Sequence, residues 1–84
     1  MNAEQLQCII EDALENTQAL IETEDNVHFN AIIISPKFSN IGSKVQQQQL
    51  IYGIINQYIA SGEIHAISMK TYTPDAWKAL QESW

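Results

Sequence analysis

The sequence predicts a single α+β domain in which helices pack on one face of a three-stranded mixed sheet. Three observations support this prediction. A chain of 84 residues has room for one hydrophobic core, so residues 1–84 form one domain. The apolar spacing changes between helix and strand periods in the order α-β-β-α-β-α. The first two strands are joined by a short turn, whereas a helix joins the second to the third, which favours one antiparallel and one parallel pair.

The first helix is predicted near the amino terminus, where apolar residues recur at helical spacing. Asn2 can cap this helix, and Gln5 follows three residues later in a capping-box arrangement. Cys8 falls on the opposite, acidic face, where neighbouring carboxylates disfavour a thiolate. We therefore interpret it as a surface thiol without a function. The predicted apolar face consists of Leu6, Ile9, Ile10, Ala13 and Leu14.

A hairpin is predicted next, from a strand at 18–23, a polar turn at 24–26 and an isoleucine-rich strand at 27–35. Pro36 ends the second strand because proline cannot donate a hydrogen bond to a sheet. Residues 36–43 are predicted to form an irregular loop, with Phe38 as an apolar plug.

A longer helix is predicted at 44–60, and Gly62 provides its carboxyl-terminal stop. Its predicted buried face consists of Val45 at the leading end, then Ile51, Tyr52, Ile55, Tyr58 and Ile59.

A third strand is predicted at 64–71, where alternation groups His65 with Ile67, Met69 and Thr71 on one face. The last helix begins at Thr73 and Pro74, a favoured cap and first helical residue. Its predicted apolar side consists of Trp77, Leu80 and Trp84. The complete order is similar to the class II KH arrangement.

Composition excludes several classes of protein. The chain contains a single cysteine, which rules out an intramolecular disulfide and a zinc site built from several thiolates. No apolar run reaches the roughly 18–20 residues that span a bilayer, and the start resembles no targeting peptide. We expect a soluble cytoplasmic protein with no membrane association. The sequence contains no nucleophile–base pattern of the kind that would suggest an enzyme.

The net charge of −6 is unevenly distributed. Residues 1–42 contain seven acids and one lysine, while residues 43–84 contain three of each. With no arginine in the chain, strong binding to nucleic acid is disfavoured, because such proteins hold phosphates with clustered Lys and Arg. The neutral second half still allows weak contact with DNA.

The second half also carries a specific pair of motifs. Ile64-His65-Ala66 opens the third strand, and Thr71 to Trp77 reads Thr-Tyr-Thr-Pro-Asp-Ala-Trp. Together with Tyr52-Gly53 in the preceding helix and His28-Phe29 upstream, these segments resemble the BolA family. The similarity covers roughly residues 5–80 and is greatest to the short, acidic YrbA/IbaG-like bacterial branch.

The resemblance implies an accessory role in iron–sulfur and iron handling. Family members pair with monothiol glutaredoxins and can share a [2Fe–2S] cluster, for which the glutaredoxin cysteine and glutathione supply thiolates. The family's histidine ligand corresponds to His65. Members usually offer a second ligand, Cys or His, from the first hairpin loop, but residues 22–27 contain neither. His28 is the nearest candidate. The isolated chain is expected to be free of the cluster and to be a monomer or weak homodimer.

The alternative is a KH-like DNA-binding transcriptional regulator of stress response or morphology. KH domains clamp nucleotides with a GxxG loop. The corresponding segment here offers Gly42, with Lys37 and Lys44 as the nearby cations, but Val45 stands at the second glycine position. We interpret this segment mainly as an ordinary loop and helix start.

Overall fold

The computed structural model describes residues 1–82 and has the predicted element order. Trp84, which we predicted to line the last helix, lies outside the described residues. The three helices and three strands of the described chain are α1 (Ala3–Ala13), β1 (Gln18–Thr23), β2 (His28–Ile34), α2 (Lys44–Ala60), β3 (Ala66–Tyr72) and α3 (Pro74–Glu82). Within residues 1–82, no helix combines the length and apolar character needed to cross a membrane.

The sheet has the order β1-β2-β3, with β2 in the centre. β1 and β2 are antiparallel and pair Gln18 with Ile34 at one end and Thr23 with Phe29 at the other. β2 and β3 are parallel, and their register begins with His28 beside Ala66. Both predicted pairings are therefore confirmed, and the strands β2 and β3 start at the same end of the sheet.

The helices α1 and α2 cover one face of the sheet and enclose the core, as predicted. Buried side chains come from both helices, from all three strands and from the segments between them. Large buried side chains of the core include Leu6, Ile10, Phe29, Ile33, Phe38, Ile51, Ile55 and Ile64. On the opposite face, residues such as Asn30, Ser68 and Lys70 remain exposed.

The predicted helix ends are confirmed at several positions. Asn2 and Gln5 form a complete capping box at α1, with the Gln5 N–H donating to the Asn2 side chain at 2.8 Å. Gly62 follows α2 with a φ of 85°, the left-handed conformation that glycine adopts without strain. At α3, Thr73 Oγ1 accepts the Ala76 N–H. Trp77 is half-buried and packs its ring 5.3 Å from that of Tyr72, while Leu80 is exposed.

The predicted irregular loop at 36–43 is partly wrong, because Pro36–Asn40 forms a short 3₁₀ helix. Ser35 caps this turn by accepting the Lys37 N–H, and Pro36 suits its first position. Phe38 is buried as predicted, with 1% of its surface exposed. The turn therefore fixes the plug in the core.

The predicted role of Val45 is wrong, since 63% of its surface is exposed. Gln47 occupies the buried position at this end of α2. Its amide donates to the carbonyls of Phe38 and Ile41 at 3.3 and 3.1 Å and accepts from Thr71 Oγ1 at 2.7 Å. These bonds compensate for burying an amide, so a polar side chain takes a place that hydrophobic patterning assigns to valine.

Replacing Gln47 with methionine is expected to lower the free energy of unfolding by about 1–3 kcal/mol. The side-chain volume stays similar, while the Ile41 carbonyl and the Thr71 hydroxyl lose the hydrogen bonds that the Gln47 amide makes with them. Urea unfolding followed by far-ultraviolet circular dichroism measures the change. Gln49→Met, at an exposed position of the same helix, is the matched control. Equal stability of the two variants would contradict a stabilising role for the Gln47 bonds.

Candidate metal centre at the start of β2 and β3

The parallel register of β2 and β3 brings together two histidines that are far apart in sequence. His28 is the first residue of β2, and His65 immediately precedes β3. The Val27 carbonyl accepts the N–H groups of both His65, at 2.8 Å, and Ala66, at 3.3 Å. This shared acceptor ties the residue before β2 to the start of β3 and sets the two histidines side by side.

The imidazole rings of His28 and His65, called here the histidine pair, have centroids 5.8 Å apart and planes inclined at 87°. Both residues are exposed. The structure therefore brings together the two metal-ligand candidates that the sequence analysis selected. A surface pair of this kind is accessible to a group that a partner carries.

The predicted alternation around His65 is wrong at the start of the strand. Ile67, Met69 and Thr71 do face the core, but Ile64 is buried and His65 is exposed. The strand begins at Ala66, and the Ile64 N–H donates to the Tyr58 carbonyl at the end of α2 instead of to a neighbouring strand. Alternation does not extend into this connection, which leaves the imidazole of His65 at the surface.

Asp25 is a third residue of the site and was absent from the sequence-based candidates. Its Oδ2 lies 2.7 Å from His28 Nδ1, and its Oδ1 accepts the N–H groups of Val27 and His28 at 3.1 and 2.8 Å. The backbone N–H groups of His28 and Val27, followed by the His28 ring, hold the pKa of the Asp25 carboxyl well below its ordinary value. The signal in the sequence is an aspartate in a hairpin turn, a residue type that accepts the backbone N–H two residues on in an Asx turn, as Asp25 does from Val27.

A groove of 720 Å³ opens beside His28, between the hairpin turn and the start of β3. Its rim is acidic, with one carboxylate from the end of β1 and two from the hairpin turn. Among the residues that line it are Glu22, Glu24, Asp25, Asn30, Ala66 and Ser68. The acidic rim means that a partner approaching His28 meets negative charge.

The histidine pair offers the number and kind of donors that one iron of a [2Fe–2S] cluster could accept from protein. Imidazole suits iron, and in Rieske centres two histidines replace two cysteines on one iron. With a metal–nitrogen bond of about 2.0–2.1 Å, a bound ring has its centroid about 3.2 Å from the metal, so two rings on one tetrahedral ion have centroids about 5.2 Å apart. The observed separation is 5.8 Å, so both rings can reach one ion after a small rotation of the side chains. Among residues 1–82, no cluster of three or more metal-ligating side chains occurs.

The nucleic-acid candidates lie in a different part of the molecule. Lys37 is an exposed residue of the 3₁₀ helix, and Gly42 is exposed in the loop that precedes α2. The Lys44 ammonium donates to the Thr71 carbonyl and lies 4.8 Å from the centre of the Tyr72 ring. Lys44 therefore joins α2 to β3. Its ammonium group already contacts Thr71 and Tyr72, so it is less available to bind a phosphate.

Cys8 is exposed on α1, on the side of the helix away from the core residues Leu6 and Ile10, as predicted. It is not one of the residues lining the groove beside His28. It lines a different groove, beside Tyr58 and Glu63, and we assign it no role at the histidine pair.

The fold and the exposed histidine pair define a small KH-like α+β domain that presents two imidazoles side by side at its surface. A family model described as BolA-like protein matches residues 1–76. The chain belongs to the BolA family, which confirms the resemblance drawn from its motifs.

Two relatives extend this assignment. The chain is 36% identical over 77 residues to the acid stress protein IbaG of Escherichia coli, which covers 92% of this chain and 89% of the relative. It is 37% identical over 73 residues to the DNA-binding transcriptional regulator BolA of Haemophilus influenzae, covering 84% and 69% of the two chains. Both similarities extend over most of the domain.

A solved structure shows the same architecture. The structure of a BolA protein homologue from Coxiella burnetii superposes with a TM-score of 0.80 at 28% identity, covering 93% of this chain and 97% of the other. The class II KH-like order predicted from the sequence is therefore confirmed.

Proposed function

We propose that the chain is a non-enzymatic accessory protein that binds a monothiol glutaredoxin and shares or relays a [2Fe–2S] cluster. In this proposal His65 and His28 are ligands of one iron, while the glutaredoxin cysteine and a glutathione thiolate hold the other. The observation that carries the proposal is the 5.8 Å approach of two exposed imidazoles from separate strands.

The chemistry of the donors supports a shared site over one resident in the isolated chain. The histidine pair offers two donors, and the cluster requires two terminal ligands on each iron. Substituting neutral imidazoles for thiolates makes a cluster less negative and raises its reduction potential, as in Rieske centres. A cluster held between the two proteins would therefore differ from one bound by glutaredoxin thiolates alone.

The name of one relative, an acid stress protein, supports a role of this chain in the stress response. We propose that this role is exercised in the cytoplasm and, through the shared cluster, extends to iron homeostasis. We propose that without glutaredoxin the chain is a monomer or a weak homodimer that contains no cluster.

The test is to titrate the purified chain into a [2Fe–2S]-loaded monothiol glutaredoxin while recording visible absorption and circular dichroism. The expected result is a change in the cluster bands that saturates, because two ligands of the cluster are exchanged for imidazoles. Cluster-free glutaredoxin serves as the blank. Spectra that are the simple sum of the two components would contradict a shared cluster.

A second candidate function, contact with duplex DNA, is favoured by the relative named as a DNA-binding transcriptional regulator. Lys37 and Gly42 are exposed at the corresponding KH loop, but the second glycine position is Val45. Since the Lys44 ammonium is engaged by Thr71 and Tyr72, we expect a weak and strongly salt-dependent interaction centred on Lys37.

If the loop contacts phosphate, Lys37→Gln is expected to make the binding constant for DNA less dependent on salt. The negative slope of the logarithm of this constant against the logarithm of salt concentration should become smaller in magnitude by about 1. Lys44→Gln is a poor test because it also removes the link between α2 and β3. Lys78→Gln, on the exposed side of α3, is the matched control and should leave the slope unchanged. A gel shift with no wild-type binding at about 50 mM salt would contradict this function.

A further inference from the structure

We propose that Asp25 is a positioning residue that fixes the tautomer of His28, with the proton on Nδ1 and the free electron pair on Nε2. The role of this tautomer rests on the proposed function, because the unprotonated Nε2 is the nitrogen that would bind the cluster. The tautomer itself is a property of the chain alone and can be measured without a partner.

The direction of the hydrogen bond follows from the donors and acceptors that are present. Asp25 Oδ2 lies 2.7 Å from His28 Nδ1. An ionised carboxylate has only acceptors, so a neutral imidazole at this distance must donate from Nδ1. Histidines that bind metals typically donate their other ring N–H to a carboxylate or carbonyl, which orients the ring and raises its basicity.

The carboxylate is itself held in place. The N–H groups of Val27 and His28 donate to Asp25 Oδ1, so only Oδ2 is directed to the ring. Thr23 Oγ1 accepts the Asn26 N–H at 3.0 Å and donates to the His28 carbonyl at 2.7 Å, which closes the turn. Ordinary surface ion pairs lack such support and contribute little. Here the turn presents a preorganised acceptor to the imidazole.

The two members of the histidine pair differ in this respect. In the described part of the chain, only the His28 ring has a carboxylate partner. His65 is fixed through its backbone N–H, which donates to Val27. The structure thus assigns a preset tautomer to His28 and an adaptable ring to His65.

The test is a long-range ¹H–¹⁵N spectrum of the cluster-free chain at pH 8, above the ordinary imidazole pKa of about 6.5. Wild-type His28 is expected to carry its proton on Nδ1. In Asp25→Asn the amide oxygen can still accept both backbone N–H groups, and the amide nitrogen then faces the ring as a donor. His28 Nδ1 must accept from it, so the proton is expected to move to Nε2. Glu24→Gln, in the same turn, should leave the tautomer unchanged.

A proton on Nε2 in the wild type, or the same tautomer in wild type and Asp25→Asn, would overturn the proposal. Backbone amide shifts of the turn establish in the same sample that the variant keeps its fold. With loaded glutaredoxin, Asp25→Asn is expected to weaken the shared complex about 10–100-fold, the usual effect of losing an outer partner of a metal ligand. The predicted tautomers combined with an unweakened complex would support positioning by Asp25 and contradict ligation by His28.

Discussion

His65→Ala is expected to abolish the change that the chain produces in the visible spectrum of cluster-loaded glutaredoxin. Loss of an outer partner of a ligand already costs about 10–100-fold in metal affinity, and loss of the ligand itself should cost more. His65 is exposed, and its backbone N–H bond to Val27 does not depend on the imidazole, so the variant should fold normally. Titration followed by circular dichroism in the cluster bands measures the effect.

His28→Ala is expected to have an effect of similar size, since both rings lie at the same centre. Ser68→Ala and Asn30→Ala are matched controls, because both residues are exposed and line the groove beside His28 without offering an imidazole. If all four variants retained the wild-type response, the histidine pair would not be the binding site.

Phe38→Ala is expected to lower the free energy of unfolding by about 3–5 kcal/mol. The side chain is fully buried in the cluster that also contains Ile33 and Ile51. A small domain has a total stability of about 5–15 kcal/mol, so this loss removes a large part of it. Urea unfolding at 25 °C, followed by far-ultraviolet circular dichroism, measures the difference.

Val45→Ala provides the matched control for Phe38→Ala. Both residues were predicted to be buried near the start of α2, but 63% of the Val45 surface is exposed. Its replacement should change stability by no more than about 0.5 kcal/mol. Equal losses in the two variants would contradict the packing described for the 3₁₀ helix and α2.

The order of elements was predictable because its signals are local. Asn2 and Gln5 lie three residues apart, Gly62 stops α2 by its own backbone conformation, and the short turn before β2 leaves its strands antiparallel. The burial of Gln47 was not predictable in this way. Its hydrogen-bond partners Phe38, Ile41 and Thr71 come from other segments of the chain. The spacing of apolar residues cannot predict that an amide is buried, because these bonds form only in the tertiary fold.

The site was predictable in part for the same reason. His65 was identified from its family-like motif, and His28 as the histidine nearest to the hairpin loop. Their approach depends on the parallel register that sets His28 beside Ala66, which strand propensities do not determine. Asp25 was missed because composition presents it as one acid among several, whereas its contact with His28 exists only once the turn has formed.

The proposed binding of His28 and His65 to one iron of a shared cluster can be observed directly. Pulsed electron paramagnetic resonance of the reduced complex, with ¹⁵N incorporated into the histidines of this chain alone, detects the nitrogens bound to iron. We expect strong coupling to two histidine nitrogens in the wild type, and we expect this coupling to be lost in His28→Ala and in His65→Ala, because each variant loses the shared complex. A reduced cluster with no coupling to ¹⁵N in the wild-type complex would contradict this binding.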